Sequence, residues 1–458
     1  MKTGKRLFGT DGIRGTAGTF PLDPDTVTRV GAALARALAA PGGRDAPRLL
    51  IGRDTRESGD WIERAIASGA RRAGAECLGA GIITTPGVAY LARTESFDAG
   101  VMISASHNPY RDNGIKIFSR TGYKLPDAEE AAIEAAVLDG GTALPGAEYS
   151  AATAPAAPPE LVDRYARFLA ESVSPGTSFQ GLHLVLDCAN GASSALAPPV
   201  FEGLGARVTP LFTNPDGRNI NSGCGSLYPE GLGKAVVEHG ADAGIAFDGD
   251  ADRCLFVAAD GRVADGDVLM YQAAAWLKEK GRLASGKVVS TVMSNLWLER
   301  GLADIGVNLA RTQVGDKYVL EEMLRSGAVL GGEQSGHIIF ADRATTGDGI
   351  LTALRMTEIL RDTGETVSDW LSKVKAFPQI LLNVPVARRP DLESHPVIGG
   401  AAARVRERLG GTGRLVLRYS GTEPLARVMI EATDREMVDA LARELADVIR
   451  DQIGADGA

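Results

Sequence analysis

Three times in this chain a short apolar run empties straight into a polar loop: Val101-Met102-Ile103 before SASHNP at 104–109, Ala243 to Phe247 before DGDADR at 248–253, and Ala328 to Leu330 before GEQSGH at 332–337. Each run closes a passage in which apolar, β-rich segments alternate with Ala- and Leu-rich helical stretches. The earlier segments lie at 48–51 and 81–83, at 182–186 and 207–211, and at 288–292 and 307–310. Continuous apolar strands alternating with helices read as parallel α/β layers. Open α/β sheets bind ligands beyond the carboxyl ends of their strands, so the three loops are expected to face one cleft.

A chain of 458 residues is too long for one core and suits about three or four domains. An Ala/Pro/Gly-rich stretch at 140–159 reads as a linker, a second break falls near Ala258 to Asp267 with two Asp-Gly turns, and a third near Ala376 to Pro378. Beyond it the texture changes. Strand-like runs at 414–417 and 427–430 flank RYSGTEPLA, and a helix follows whose Thr433-x-x-Glu436 start has capping-box spacing and whose Met437, Leu441, Leu445 and Val448 share one face. The expected fold class is α/β: three consecutive α/β domains (1–157, 158–258 and 259–376) with mixed, mostly parallel sheets, plus a smaller C-terminal α+β domain (377–458), around one central cleft.

A formal net charge of -9 argues against a nucleic-acid partner. The N-terminal MKTGKRLFGTDG lacks the apolar core of a signal peptide and no run approaches a membrane span, so no membrane partner and a cytoplasmic location are expected. Four cysteines without CxxC spacing fit small buried residues in a reducing compartment better than a zinc or redox site.

The chemistry sits in the loops. Pro109 keeps the first from continuing as helix or central strand, which places Ser106 on an exposed, rigid turn. There is no G-x-S-x-G elbow, and His107, as an immediate neighbour on an extended chain, points away from the serine. A hydrolase is therefore disfavoured, and a phosphate-carrying serine fits the companion loops. Asp248, Asp250 and Asp252, at i, i+2 and i+4 after a strand, form a hard oxygen cluster suited to Mg²⁺. Arg253 and Ala259 at the sixth and twelfth positions exclude an EF-hand. Arg418, Ser420, Gly421 and Thr422, with Arg427 on the next strand, make a phosphate cradle of hydroxyls, glycine backbone and guanidinium. Glu333 and Ser335 suit vicinal sugar hydroxyls, and His337 an acid or base. Lys116 and Arg14 are basic groups of the kind that stabilise a transferring phosphoryl, and a desolvated lysine also serves as a base. Gly281 to Lys287 mimics a Walker A loop but ends in Val288 and opens a strand, so it is not a nucleotide site.

With SASHNP, DGDADR, GEQSGH and RYSGTEP in this order, and with FGTDGIRG at 8–15, GRDTRESG at 52–59 and TTGDGI at 345–350 as well, the chain resembles the α-D-phosphohexomutase superfamily over essentially its whole length. The resemblance implies four domains around one deep cleft. By it Ser106 carries the phosphate and, through that phosphate, joins Asp248, Asp250 and Asp252 around one Mg²⁺. Arg14 and Arg253 support the transferred group, Ser106 and His107 belong to the catalytic loop, and Lys116 and His337 are acid/base candidates. Glu333 and Ser335 hold sugar hydroxyls, while Arg418, Ser420, Gly421, Thr422 and Arg427 clamp the phosphate that is not reacting. The implied reaction converts glucosamine 6-phosphate to glucosamine 1-phosphate through a 1,6-bisphosphate, with glucosamine or glucose 1,6-bisphosphate as activator, in the supply of peptidoglycan precursors. The expected partner is a small-molecule sugar phosphate, with a homodimer left open. The alternatives are the glucose- and mannose-acting mutases, which share these motifs, a non-catalytic sugar-phosphate sensor, and a phosphatase with an aspartyl nucleophile. One departure is Ala251, where many relatives have Gly.

Overall fold

The computed structural model describes residues 7–9, 11–39, 46–139, 153–420 and 424–455. The first sheet holds β1 (Phe8–Gly9), β2 (Gly12–Thr16), β3 (Arg48–Arg53), β4 (Glu76–Ile82), β5 (Ala99–Ile103) and β6 (Asp112–Ser119), in the order β1-β2-β6-β5-β3-β4. The second holds β7 (His183–Asp187), β8 (Arg207–Leu211), β9 (Ala243–Phe247), β10 (Cys254–Ala258) and β11 (Val263–Ala264), in the order β11-β10-β9-β7-β8. The third holds β12 (Lys287–Thr291), β13 (Asn308–Thr312), β14 (Leu330–Gly332) and β15 (Ile338–Phe340), in the order β13-β12-β14-β15. A fourth, of β16 (Gln379–Pro385), β17 (Gly413–Tyr419) and β18 (Leu425–Ala432), is antiparallel throughout and packs on the helices Pro396–Leu409 and Arg435–Ile453.

The three larger sheets repeat one plan. β5 is parallel to β3 and antiparallel to β6, β9 is parallel to β7 and antiparallel to β10, and β14 is parallel to β12 and antiparallel to β15. Each polar loop is thus the turn between a parallel strand and the antiparallel strand that returns beside it, and the sheets are mixed. Every residue of β5, β7, β9 and β10 is buried. Burial on both faces is why β5, β9 and β10 are unbroken apolar runs and why β7 is polar only at its ends, His183 and Asp187.

Two local expectations change. Asp260-Gly261 is a turn, joining β10 to β11, but Asp265 is a helix cap whose carboxylate accepts the Asp267 and Val268 N–H groups at the start of Gly266–Glu279. In the C-terminal helix Asp434, not Thr433, is the cap, because its carboxylate reaches the N–H groups of Glu436 and Met437. The Walker-like segment leads into β12, as expected. Of the linker, residues 140–152 lie outside the described residues. Among the described residues no helix is long and apolar enough to cross a membrane.

The chain divides into two compact units, a larger one of Met1–Thr291 with Ala310–Ser372 and a smaller one of Val292–Leu309 with Lys373–Ala458. In the larger unit the helices Pro24–Leu38 and Gly59–Arg72 cross where two glycines let backbones touch. A Cβ on Gly69 would lie 1.9 Å from the Thr28 carbonyl oxygen, and one on Gly31 2.2 Å from that of Ile66. Gly69→Ala gains about 1 kcal/mol of helix propensity, but backbone cannot yield as a side-chain tip does, and overpacking of this kind costs roughly 1–3 kcal/mol or more. A lowered urea midpoint is expected for Gly69→Ala. An unchanged or raised midpoint would contradict this packing.

Candidate active site

Ser106 sits in the β5–β6 loop with φ +51°, a left-handed conformation that costs a side-chain-bearing residue about 1–2 kcal/mol. What holds it there is a guanidinium. Arg56 donates from Nη2 to the carbonyls of Ser106 (2.8 Å) and Asn108 (2.9 Å), from Nη1 to that of Pro109 (2.6 Å), and from Nε to Asp54 Oδ2 (2.9 Å). Asn221 Nδ2 donates to the Ser106 and Asn108 carbonyls as well. Ser104 Oγ donates to Asp54 at 2.6 Å and accepts the Ser106 N–H at 2.9 Å. The loop is rigid, as expected, but it is not exposed: Ser106 is 2% accessible and Arg56 1%. The loop carbonyls find their donors inside the protein, and Asp248 covers the hydroxyl.

The left-handed backbone also overturns the expectation that His107 points away. Ser106 Oγ donates to Asp248 Oδ2 at 2.6 Å and lies 3.2 Å from His107 Nδ1. Serine has one proton, so with it on Asp248 the oxygen accepts from the imidazole. Burial, with the charges of Arg253 and Arg14, pushes His107 down to about 4, which leaves the ring neutral at pH 7.

The three aspartates converge, though not on an extended strand. Ala251 adopts φ +53° and its N–H bonds the Asp248 carbonyl, so a coiled turn brings carboxylate oxygens of Asp248, Asp250 and Asp252 within 4.8 Å of one another. All three are buried, and Asp250 Oδ1 and Asp252 Oδ1 have no hydrogen-bond partner. Buried acceptors left this way are rare, and three convergent carboxylates fit a small hard cation.

Lys116 balances them, with Nζ 3.0 Å from Asp250, 3.4 Å from Asp252 and 3.3 Å from Asp11. Burial alone would push this lysine down, but the three carboxylates outweigh it and hold Lys116 well above its ordinary value. It is a cation here, not the neutral base that desolvation by itself suggests. Burial likewise pushes Asp252 up, and Lys116, His337 and Arg253 reverse this and hold it well below the usual range. Asp248, pushed up by burial and by its two neighbours, is held well above. Thr85 Oγ1 donates to Asp250 at 2.5 Å. The Arg253 N–H bonds Asp248 and its side chain lies 3.8 Å from Asp252, while Arg14 reaches Asp11 and the Asn108 side chain.

The third loop adds His337, Glu333 and Ser335. His337 Nδ1 lies 3.7 Å from Asp252, and Nε2 accepts the Gly347 N–H at 3.1 Å. Burial pushes this ring down and Asp252, Asp316 and Glu333 raise it above its usual value. The Gly347 N–H nevertheless needs a lone pair on Nε2, so the proton sits on Nδ1, facing Asp252. Gly347 cannot be larger, since its Cβ would meet the ring at 2.4 Å. Glu333 Oε1 accepts the Gly315 N–H at 3.2 Å, and Ser335 Oγ is buried without a partner.

The larger unit therefore brings together Ser106, His107, Lys116, Arg14, Arg253, the three aspartates and His337, with Glu333 beside Arg253 and His337 electrostatically. Arg418, Ser420 and Arg427 belong to the smaller unit; Gly421 and Thr422 lie outside the described residues. Arg418 and Arg427 stand directly opposite across β17 and β18, and burial together with the Arg427 charge pushes Arg418 down. Like charges paired this way destabilise a sheet, and an anion between them removes the penalty. Sequence reasoning missed Asp54, Arg56, Asn221 and Thr85. The available signal was an Asp and an Arg two residues apart directly after a strand with a buried apolar centre, where charge is costly unless it is compensated and used.

Removing the Arg56 side chain strands a buried Asp54 carboxylate, which costs about 3–5 kcal/mol of stability, and it frees the Ser106 loop. Misplacing a reacting group by about 1 Å costs on the order of 100-fold in rate. Arg56→Ala should lose turnover on this scale and recover part of it with added guanidinium. Wild-type turnover without rescue would contradict the staple.

Four family domains match the chain in order: phosphoglucomutase/phosphomannomutase α/β/α domain I at residues 5–143, domain II at 163–261, domain III at 265–377 and the C-terminal domain at 381–448. The chain is 49% identical to the phosphoglucosamine mutase of Solibacter usitatus (strain Ellin6076), over 98% of this chain and 99% of the relative. It is also 49% identical to that of Desulforudis audaxviator (strain MP104C), over 93% and 94%. Among solved structures, a phosphoglucomutase/phosphomannomutase family protein from Burkholderia thailandensis superposes with a TM-score of 0.78 at 22% identity, over 98% of this chain and 99% of that one. The Aspergillus fumigatus N-acetylphosphoglucosamine mutase, solved with GlcNAc-6P and magnesium, superposes with 0.67 at 21% identity, over 98% and 97%. These last two establish the fold. The sequence identities together with the four domains in order show that the chain belongs to the phosphoglucomutase/phosphomannomutase family of α-D-phosphohexomutases, alongside its phosphoglucosamine mutases.

Proposed function

We propose that the protein is an isomerase that interconverts glucosamine 6-phosphate and glucosamine 1-phosphate, with Ser106 as the phosphate carrier. One observation carries the assignment of the carrier: the Ser106 hydroxyl, held in a strained left-handed turn, lies 2.6 Å from one member of a buried carboxylate triad. A phosphate on that oxygen lies beside the triad, so Asp248, Asp250, Asp252 and the phosphoserine together are the proposed Mg²⁺ site. When bound, Mg²⁺ neutralises charge on the phosphoryl group in flight.

In the first half reaction the serine Oγ–P bond breaks as a bond from phosphorus to the sugar O1 forms. The proton that O1 gives up is balanced by the one Ser106 Oγ takes back, so no net proton is needed. Lys116, a cation among three carboxylates, is the proposed donor side of that exchange, with His337 the second proton carrier. Arg14 and Arg253 stabilise the moving charge. The 1,6-bisphosphate then presents its other phosphate and returns it to Ser106, and glucosamine or glucose 1,6-bisphosphate reloads an empty enzyme. The work divides along the chain. Residues 1–157 carry the phosphate, 158–258 the metal and 259–376 the sugar, while 377–458 hold the phosphate that is not reacting, through Arg418, Ser420, Gly421, Thr422 and Arg427. The setting is cytoplasmic, supported by four free cysteines that suit a reducing compartment, and the product feeds amino-sugar nucleotide and peptidoglycan precursor synthesis.

The test is phosphorus NMR with Mg²⁺, a trace of glucosamine 1,6-bisphosphate and equal glucosamine, glucose and mannose 6-phosphates. Glucosamine 1-phosphate should appear first, and Ser106→Ala should abolish it. Faster glucose or mannose conversion would overturn the substrate, and free phosphate as the main product would overturn the mutase.

A further inference from the structure

None of the residues assigned so far takes the amino group of the sugar. At neutral pH that group is largely an ammonium, and burying it in a closed site calls for a carboxylate. Sugar chemistry says where to look. In glucosamine phosphates only O3 and O4 form a vicinal pair of free hydroxyls, since C2 carries nitrogen and C5 the ring oxygen. If Glu333 and Ser335 take a vicinal pair, they take these two, and the ammonium lies one carbon away. Its acceptor must then be a near neighbour of Glu333.

The Glu333 carboxylate accepts the Gly315 N–H at 3.2 Å, which sets residue 316 beside it. That residue is Asp316, the first of the helix Asp316–Ser326, with its side chain 18% exposed. Its Oδ2 lies 3.8 Å from His337 Nε2, and the other nitrogen of that ring faces the metal-loop Asp252. Asp316 Oδ2 also accepts Lys124 Nζ at 2.5 Å, a lysine shared with Asp11. Asp316 Oδ1 accepts the Lys317 N–H at 2.8 Å, so Oδ2, shared with Lys124, is the oxygen left for a further donor, and the neighbouring carboxylates are tied as well. Asp11 is held by Lys116, Lys124 and Arg14, Asp265 caps a helix and takes the Gln334 amide, and Asp348 caps a helix and takes the Tyr165 hydroxyl.

We infer that Asp316 is the acceptor for the C2 ammonium and sets the preference for an amino sugar. This rests on the glucosamine reading. Asp316 connects through His337 to the metal loop, and the inference places it on the Ser106 side of Glu333. C2 is adjacent to C1, so the contact forms when O1 faces the phosphoserine. When the sugar is reversed to present O6, C2 moves to the far side and the contact is lost. The contact therefore belongs to the transfer at O1 and not to the transfer at O6.

The test compares kcat/KM for glucosamine 6-phosphate and glucose 6-phosphate in the wild type, Asp316→Asn and Asp316→Glu. Asp316→Asn should lower the glucosamine-to-glucose ratio by about 10- to 100-fold, and Asp316→Glu, which keeps the charge, should restore much of it. A merely structural role would lower both sugars equally and leave the ratio alone, and that result overturns the inference. A wild type that itself prefers glucose 6-phosphate would instead overturn the substrate assignment, so the two failures are distinguishable.

Discussion

The buried pair Asp54–Arg56 is the constraint on which the reactive loop depends. A left-handed Ser106 turns the carbonyls of residues 106, 108 and 109 inward, and one guanidinium supplies their donors while its charge is matched by an aspartate of zero accessibility. Such a pair gives little net stability against an apolar substitute, because desolvation consumes most of the attraction. Its value here is geometric. The fork of Arg56 meets three loop carbonyls at once, which a lysine cannot do, and it aims the serine oxygen at the carboxylate triad.

The same logic of compensated charge runs through the rest of the centre. Three aspartates in one turn would repel, and in this structure Lys116 reaches two of them, which in turn keep the lysine protonated. A cation on the triad would change that balance, because it and the lysine would share one pool of negative charge. Two of the carboxylate oxygens have no hydrogen-bond partner, which fits ligands of a cation. The strained Ala251 turn belongs to this arrangement, since a straight strand would have spread the three groups apart.

Much of this was legible in the sequence because it is periodic or concentrated. The strands that end in the three loops are fully buried, so they read as plain apolar runs, and β8 and β9 fall on the residues that the pattern marks. The loops themselves held chemistry with no structural excuse, so Ser106 and the aspartates stood out, while Lys116, on β6, and His337 drew their weight only from the constellation. Illegible were the features that depend on a backbone angle or on distant partners. The φ of Ser106 brings His107 to its hydroxyl, where an extended chain would not. Arg56 meets the loop from 50 residues away, and Asn221 from 115. Asp265 looked like a turn residue because caps and turns use the same short carboxylate.

At the centre of the proposed chemistry is a metal ion shared by the phosphate on Ser106 and the aspartate triad. Replacing Mg²⁺ by Mn²⁺ in enzyme fully phosphorylated at Ser106, as checked by intact mass, and recording ³¹P ENDOR tests this most directly. The expected result is a hyperfine coupling of directly bound phosphate that disappears on dephosphorylation and in Asp250→Asn. Tightly bound Mn²⁺ with no ³¹P coupling to a fully phosphorylated serine would contradict it.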